Sequence, residues 1–378
     1  MIRGGIPIGK PFGIPLRLHY SWFLIFALVT WSLAASYFPS TNPTWSLSMK
    51  IGAGLITSFL FFGSVVAHEL MHSLVARREG IPVQSITLFA LGGVSQITAE
   101  PKTPQDEFRM AIVGPLSSLV LGGIFWGIWF TLRPVTTTAA QFVGGITYWL
   151  GLINLLLGVF NLVPGFPLDG GRVLRSLLWW RSRNLQRATR IASNTGRGVG
   201  FLFIFGGIYF IFTGNWFNGI WLALIGWFLE SAAVGSYRQL LLQDMLKGHV
   251  ASEVMSRDCL MVPPDITVQR LVDEHILTSG RRCFPVVSYG RVEGMITMDN
   301  IKAVSRDLWN TKLVREVMTP LDRIKSVKPN EDLSTVLQIL AQNDINQVPV
   351  LQDNNIIGMV ARDNIIAFIN IRGELGRP

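Results

Sequence analysis

Apolar residues in this chain gather into long unbroken runs, and those runs predict its architecture. Residues 20–37, 51–76, 110–132 and 141–163 are such runs, and 201–212 and 220–233 are the cores of two more. A bilayer-spanning helix needs about 20 apolar residues, so the pattern predicts six transmembrane helices. The fifth core is short and contains glycine, which leaves its limits open. Gly114-Pro115 interrupts the third run. The fourth ends in Pro164-Gly165-Phe166-Pro167-Leu168-Asp169-Gly170-Gly171, a sequence that breaks a helix. Broken backbone at membrane depth survives only where protein buries it or where it lines a cavity. Between the second and third runs, residues 87–97 read as two short strands around Gly92-Gly93. They are either a re-entrant hairpin or an ordinary surface one. Residues 1–19 are a basic lead rich in glycine and proline, with no predicted element.

From about residue 251 the long runs stop and a shorter pattern repeats. Glu253-Val254-Met255-Ser256 returns as Glu316-Val317-Met318-Thr319. Phe284-Pro285-Val286-Val287 returns as Val348-Pro349-Val350-Leu351, and Gly294-Met295-Ile296-Thr297-Met298-Asp299-Asn300-Ile301 as Gly358-Met359-Val360-Ala361-Arg362-Asp363-Asn364-Ile365. So regular a repeat means two copies of one unit, each running helix, strand, strand, helix. The expected fold is a polytopic α-helical membrane domain with about six spans, a broken helix and a re-entrant hairpin, followed by an α+β tandem pair. The expected limits are 1–240 for the membrane domain, and 251–305 and 314–372 for the two copies.

Composition supports the membrane reading. Of 378 residues only 15% are charged and 49% are hydrophobic, whereas soluble proteins carry about 25% charged residues. Residues 20–37 could be a signal peptide, since Ala34-Ala35-Ser36 resembles a cleavage site. The long lead and the bulky aromatics favour a retained span. The net charge of +9 is unevenly placed. Arg172, Arg175, Arg181, Arg183, Arg187, Arg190 and Arg197 lie in a stretch without Asp or Glu, as expected of a contact with anionic membrane lipids. Nucleic acid is excluded as a partner, because this stretch is wedged between spans and no nucleic-acid module is present. The lead (Arg3, Lys10, Arg17), the 77–109 loop, the 172–197 segment and the stretch after Tyr237 are all basic. The intervening loops hold only Lys50 and Arg133. Basic loops face the cytoplasm, so the expectation is a multi-pass cell-membrane protein with both termini cytoplasmic. Cys259 and Cys283 both fall in the polar part and lack metal spacing, which fits ordinary thiols in a reducing compartment.

The chemistry is concentrated in His68-Glu69-Leu70-Met71-His72, near the end of the second run. Residues four apart share a helix face, so both imidazoles can point at one ion. His-Glu-x-x-His is the zinc-hydrolase arrangement: two neutral histidines bind the metal and the glutamate handles the proton of a water. The same letters also occur as a polar surface face on soluble helices. Here each ionisable group inside a span costs roughly 2.5–3.5 kcal/mol. Three within five residues, with no ion-pair partner on the same helix, need a reason that a buried metal supplies. Asp169 either caps the helix that follows it or gives a carboxylate to that metal. Asn154 and Asn161 share a face of the fourth run; asparagine also bonds helix to helix in membranes.

With these motifs in order, the N-terminal part resembles the site-2 protease family of intramembrane zinc metalloproteases. The residues that carry the resemblance are 68–72, Asn161-Leu162-Val163-Pro164, Pro167-Leu168-Asp169-Gly170 and the Gly92-Gly93 hairpin. It implies one zinc per chain held by His68, His72 and Asp169, with Glu69 as the catalytic acid–base and Asn161 as donor to the developing oxyanion. The implied substrate is the transmembrane segment of a client protein. Residues 85–98 are where unwound chain would be held by strand addition. Residues 251–372 resemble a tandem pair of cystathionine-β-synthase (CBS) domains, which implies regulation by an adenine nucleotide. Thr297 and Asp299 match the ribose–phosphate end of that family's site, with Arg281 and Arg282 available to phosphate. In the second copy Ala361 replaces the threonine and only Asp363 remains. A structural or dimerising CBS pair, giving a homo-oligomer, is the plainer alternative. CBS pairs also regulate transporters and channels. The rival function is therefore a transporter that uses the intramembrane polar residues as its transport site.

Overall fold

The computed structural model describes residues 5–374 except 91, 98–100, 290, 344 and 354, and all but the side chain of Gln243 among the rest. Arg3 of the basic lead, Leu91 at the hairpin turn and Thr98 at its end lie outside the described residues. The chain divides into two compact units, residues 1–238 and 239–378.

In the first unit six helices are long and apolar enough to cross a membrane. The first span, Tyr20–Thr41, joins α1 (Tyr20–Ser32) through a π-helical turn to α2 (Phe38–Thr41). Next come α3 (Leu47–Arg78), α4 (Pro104–Leu132) and α5 (Thr138–Asn161). A short α6 (Asp169–Ser182) precedes α7 (Leu185–Phe212) and α8 (Trp216–Leu246). The starts are set locally by side-chain oxygens: Ser46, Thr103, Thr137 and Asn184 each accept a backbone N–H of the helix they open. A multi-pass membrane protein follows from this helix set.

Three expectations change. Gly114-Pro115 does not interrupt the third span, because α4 runs through Pro115 as one helix; membrane helices tolerate proline where neighbours re-satisfy the freed backbone. The fifth span is longer than its apolar core. It begins at Leu185, so the arginine-rich stretch forms α6 and the first half of α7 rather than a loop. Its glycines are packing surface: Gly200 lies on the backbone of Gly226, and Gly207 on that of Gly219, the close crossing that small residues permit.

The third change is in the lead, which is not featureless. β1 (Gly5–Gly9) and β2 (Leu16–His19) join the hairpin strands β3 (Val83–Phe89) and β4 (Gly92–Ile97) in one sheet, order β1-β2-β3-β4. β2 runs parallel to β3, and the other two pairings are antiparallel. Leu16 and Leu18 alternate with Arg17 and His19, a period of two. They pack with Ile86, Leu88, Trp22, Phe62 and Val65 under the sheet. So short an alternation among glycines and prolines does not stand out in the sequence. Among the described strands β4 pairs only with β3, which leaves its outer edge open.

The second unit shows the repeat in its register. Strands Cys283–Ser288 and Arg291–Thr297 pair antiparallel, with Phe284 opposite Ile296 and a bulge after Val286. Gln347–Gln352 and Asn355–Ala361 repeat this with Val348 opposite Val360 and a bulge after Val350. Each copy has its own apolar core, around Phe284, Val286 and Ile296 in the first and Val348, Val350 and Val360 in the second.

Candidate metal centre

α3 and α4 pack with one face of each turned inward. On α3 that face presents His68 and His72, both buried. On α4 it presents Met110, Gly114 and Ser118, spaced four apart, also buried. His72 Nδ1 lies 2.6 Å from the Met110 carbonyl oxygen, and His68 Nδ1 lies 2.9 Å from Ser118 Oγ. A carbonyl only accepts, so His72 Nδ1 carries the proton and Nε2 of the neutral ring offers a lone pair. Gly114 makes room for both rings, since a Cβ at that position would overlap His72 Nε2 and crowd His68 Nε2.

The third donor comes from the break after α5. Asp169 is the first residue of α6, and Leu168 occupies the cap position without a side-chain bond. The carboxylate is therefore not spent on the helix end. Its Oδ2 lies 3.1 Å from His68 Nε2 and 3.1 Å from His72 Nε2, and the two imidazole nitrogens are 3.2 Å apart. Gly170 and Gly171 seat this turn directly on the backbone of Leu162 and Gly165, where a Cβ would not fit. Lone pairs of two buried imidazoles and one partly buried carboxylate converge within hydrogen-bond distance of one another, an arrangement that suits a cation. Tetrahedral zinc with bonds of roughly 2.0–2.1 Å sets its donors about 3.3 Å apart, close to what these residues present. Both histidines are also held from behind through Nδ1, as metal-binding imidazoles are. The residues present fit zinc.

Glu69 lies beside this cluster, against β4. Ser95 Oγ donates to Glu69 Oε2 at 2.7 Å and in turn accepts from Ser73 Oγ at 3.1 Å. Gly93 lets the strand come this close, because a Cβ there would stand 2.5 Å from Glu69 Cγ. The open-edged strand thus passes directly over the glutamate. Asn161 ends α5, where Nδ2 donates to Leu157 O at 3.0 Å; among the described residues no hydrogen bond joins it to the three donors. Its neighbour Leu162 is the residue on which Gly170 sits. Asn154, about two turns earlier on the same face, makes the helix-to-helix bond, from Nδ2 to Ser64 Oγ at 3.2 Å.

In the second unit Thr297 caps the helix Met298–Lys302. Its hydroxyl donates to Asn300 Oδ1 at 2.6 Å, and Asn300 Oδ1 also accepts from the Thr297 N–H. The second copy keeps half of this, from Ala361 N to Asn364 Oδ1 at 2.9 Å. Asp299 and Asp363 are exposed in the first turns of the two helices. Arg281 is held by Asp258, through both the backbone carbonyl and the carboxylate, whereas Arg282 is exposed.

Sequence reasoning missed Met110, Gly114, Ser118 and Ser95. The signal for Gly114 and Ser118 was present: small residues four apart in an apolar run; Met110 contributes through its backbone carbonyl, which no side-chain pattern marks. Nothing local in the sequence says which face of which span the histidines meet.

The description Peptidase family M50 matches residues 56–147 and 134–205, and CBS domain matches 251–307 and 314–371. The chain is similar to sll0528 of Synechocystis sp., 35% identical over 97% of this chain and 95% of that one. It is similar to Rip3 of Mycobacterium tuberculosis, 32% identical over 98% and 94%, and to MJ0392 of Methanocaldococcus jannaschii, 28% identical over 97% and 96%. The words zinc metalloprotease stand in all three names. Among solved structures it is similar to a site-2 protease from Methanocaldococcus jannaschii, 29% identical, covering 62% of this chain and 95% of that one with a TM-score of 0.42. Near-full-length identity of this order, on a chain whose membrane unit carries the three converging donors and the adjacent glutamate, makes this protein a member of peptidase family M50, a zinc metalloprotease of the site-2 protease family with a C-terminal CBS pair.

Proposed function

We propose that the protein hydrolyses a peptide bond in or near the transmembrane segment of a client protein, at a centre toward the cytoplasmic ends of α3 and α4. Membership of the family decides against the transport reading. The observation that carries the proposal is the meeting of His68, His72 and Asp169 at 3.1–3.2 Å beside Glu69. In this reading His68, His72 and Asp169 hold the zinc. When bound there, zinc would supply Lewis-acid polarisation of the scissile carbonyl and would lower the pKa of the attacking water. Glu69 takes the proton of that water and delivers it to the leaving amine. Ser95 holds the carboxylate in place by donating to Oε2. Asn161 turns its amide from Leu157 O to the developing oxyanion once substrate is bound.

A helical peptide bond is shielded by its own hydrogen bonds, so the client must unwind before attack. The open edge of β4 accepts an extended chain by strand addition, and the strand runs over Glu69. The basic segments that predict cytoplasmic termini put α3's C-terminal end, and with it the centre, on the cytoplasmic side. The exposed Asp299 and Asp363 offer carboxylates to ribose hydroxyls of an adenine nucleotide bound by the CBS pair, whose occupancy regulates cleavage. The test uses the full-length protein in liposomes with a single-span substrate. Mass spectrometry should place the cut within the substrate's membrane segment or at its cytoplasmic edge. Cuts confined to its soluble domains would contradict the proposal.

A further inference from the structure

Glu107 is fully buried in the first turn of α4, and Arg175 on α6 is buried with it. Arg175 Nε donates to Glu107 Oε1 at 2.5 Å, and its Nη2 engages the same oxygen. The guanidinium also lies over the Phe166 ring, its Cζ 5.3 Å from the centroid. One cation thus ties two pieces of the centre together. α4 supplies the Met110 carbonyl behind His72 and Ser118 behind His68. Phe166 belongs to the turn that delivers Asp169. Breaking one partner of such a pair costs about 3–5 kcal/mol, yet replacing both with apolar residues is often neutral or stabilising. Stability alone is therefore a weak reason to bury it.

We propose that the Glu107–Arg175 pair is a positioning device: it fixes α6 on α4 so that the Asp169 carboxylate meets His68 and His72. The start of α6 has no side-chain cap, and Asp169 is followed by two glycines. That end is seated by the backbone packing of Gly170 and Gly171 on Leu162 and Gly165, and a side-chain lock further along adds a fixed rotation. Arg175 is six residues further on, roughly 9 Å along the helix axis at 1.5 Å per residue. A lock at that distance sets both the rotation and the height of the first turn. Arg172 adds a lighter contact on the same side, from Nη2 to Met110 Sδ at 3.8 Å.

The inference rests on the reading of His68, His72 and Asp169 as metal ligands, and the experiment separates the two. Full-length protein is purified in detergent, and its zinc affinity is measured by competition with a chelator. Unfolding of the metal-free form and the visible spectrum of the cobalt-substituted form are recorded alongside. The parent and a Glu107→Leu, Arg175→Met double variant are compared. The expected result is metal-free unfolding like the parent's, zinc affinity lower by roughly 10–100-fold, and an altered cobalt spectrum. A folded double variant with parental zinc affinity and spectrum would overturn the positioning role, while a parent that binds no zinc would overturn the ligand assignment instead. Arg175→Lys serves should the double variant not fold. It keeps the charge and loses the fork, and parental zinc affinity in that variant overturns the proposal equally.

Discussion

A carboxylate that shuttles a proton must be held in place without being neutralised. Glu69 is held by one hydroxyl, Ser95 Oγ, whose own acceptor site is filled by Ser73. That arrangement aims the serine proton at Oε2 and leaves the rest of the carboxylate for water. A hydrogen bond to a charged group is worth about 1.5–3 kcal/mol, and 1.36 kcal/mol in a barrier is tenfold in rate. Ser95→Ala should therefore lower cleavage by about tenfold and leave zinc content unchanged. Parental cleavage by that variant would remove the hydroxyl from the mechanism. At this scale the sequence was informative where chemistry is local. His68 and His72 are legible because a helix puts every fourth residue on one face, and Glu69 because it completes the His-Glu-x-x-His pattern. Ser95 was not, because a serine alternating along a short strand looks like any solvent-facing position.

α4 does more than its apolar run suggests. Met110, Gly114 and Ser118 form the wall behind the two imidazoles, and Gly114 is the position where the helices come closest to the rings. Gly114→Ala should displace His72 and His68 and weaken zinc binding by roughly 10–100-fold, the loss seen when the surroundings of metal ligands are disturbed. Chelator competition on the purified protein reads this directly; unchanged affinity would mean that the rings can move aside at no cost. Gly114-Pro115 reads in the sequence as a break because each residue destabilises a helix in water. In α4 packing against α3 overrides that propensity. The same override lengthens α7 beyond its apolar core, since its glycines serve α8 rather than marking a loop. β1 and β2 were hidden for a different reason. Leu16 and Leu18 are too few to make a pattern, and β2 gains its partner β3 from more than sixty residues away.

For the molecule as a whole, six spans were legible because length and hydropathy alone dictate them, and the CBS pair because it repeats. The meeting of Asp169 with a motif about a hundred residues earlier is set by tertiary packing; the local sequence offered Asp169 as a cap or as a metal carboxylate and could not choose between them. Regulation belongs to this scale too. A nucleotide can change cleavage only if it binds two arrangements of the CBS pair with different affinity, and a coupling of about 1–3 kcal/mol would be ordinary. Calorimetry on the full-length protein with ATP, ADP and AMP should detect binding of at least one, lost in Asp299→Ala and less affected in Asp363→Ala. Cleavage of the single-span substrate should change in step with occupancy. No heat with any of the three would leave the CBS pair a docking or dimerising element. The central claim, that two histidines and a distant aspartate hold zinc while Glu69 moves the proton, is tested most directly by assaying zinc content and cleavage on the same preparations of Glu69→Gln and Asp169→Ala. The account predicts that Glu69→Gln retains about one zinc per chain and loses cleavage, whereas Asp169→Ala loses both. Cleavage of the substrate by Glu69→Gln at the parental rate, or undiminished zinc affinity in Asp169→Ala, would contradict it.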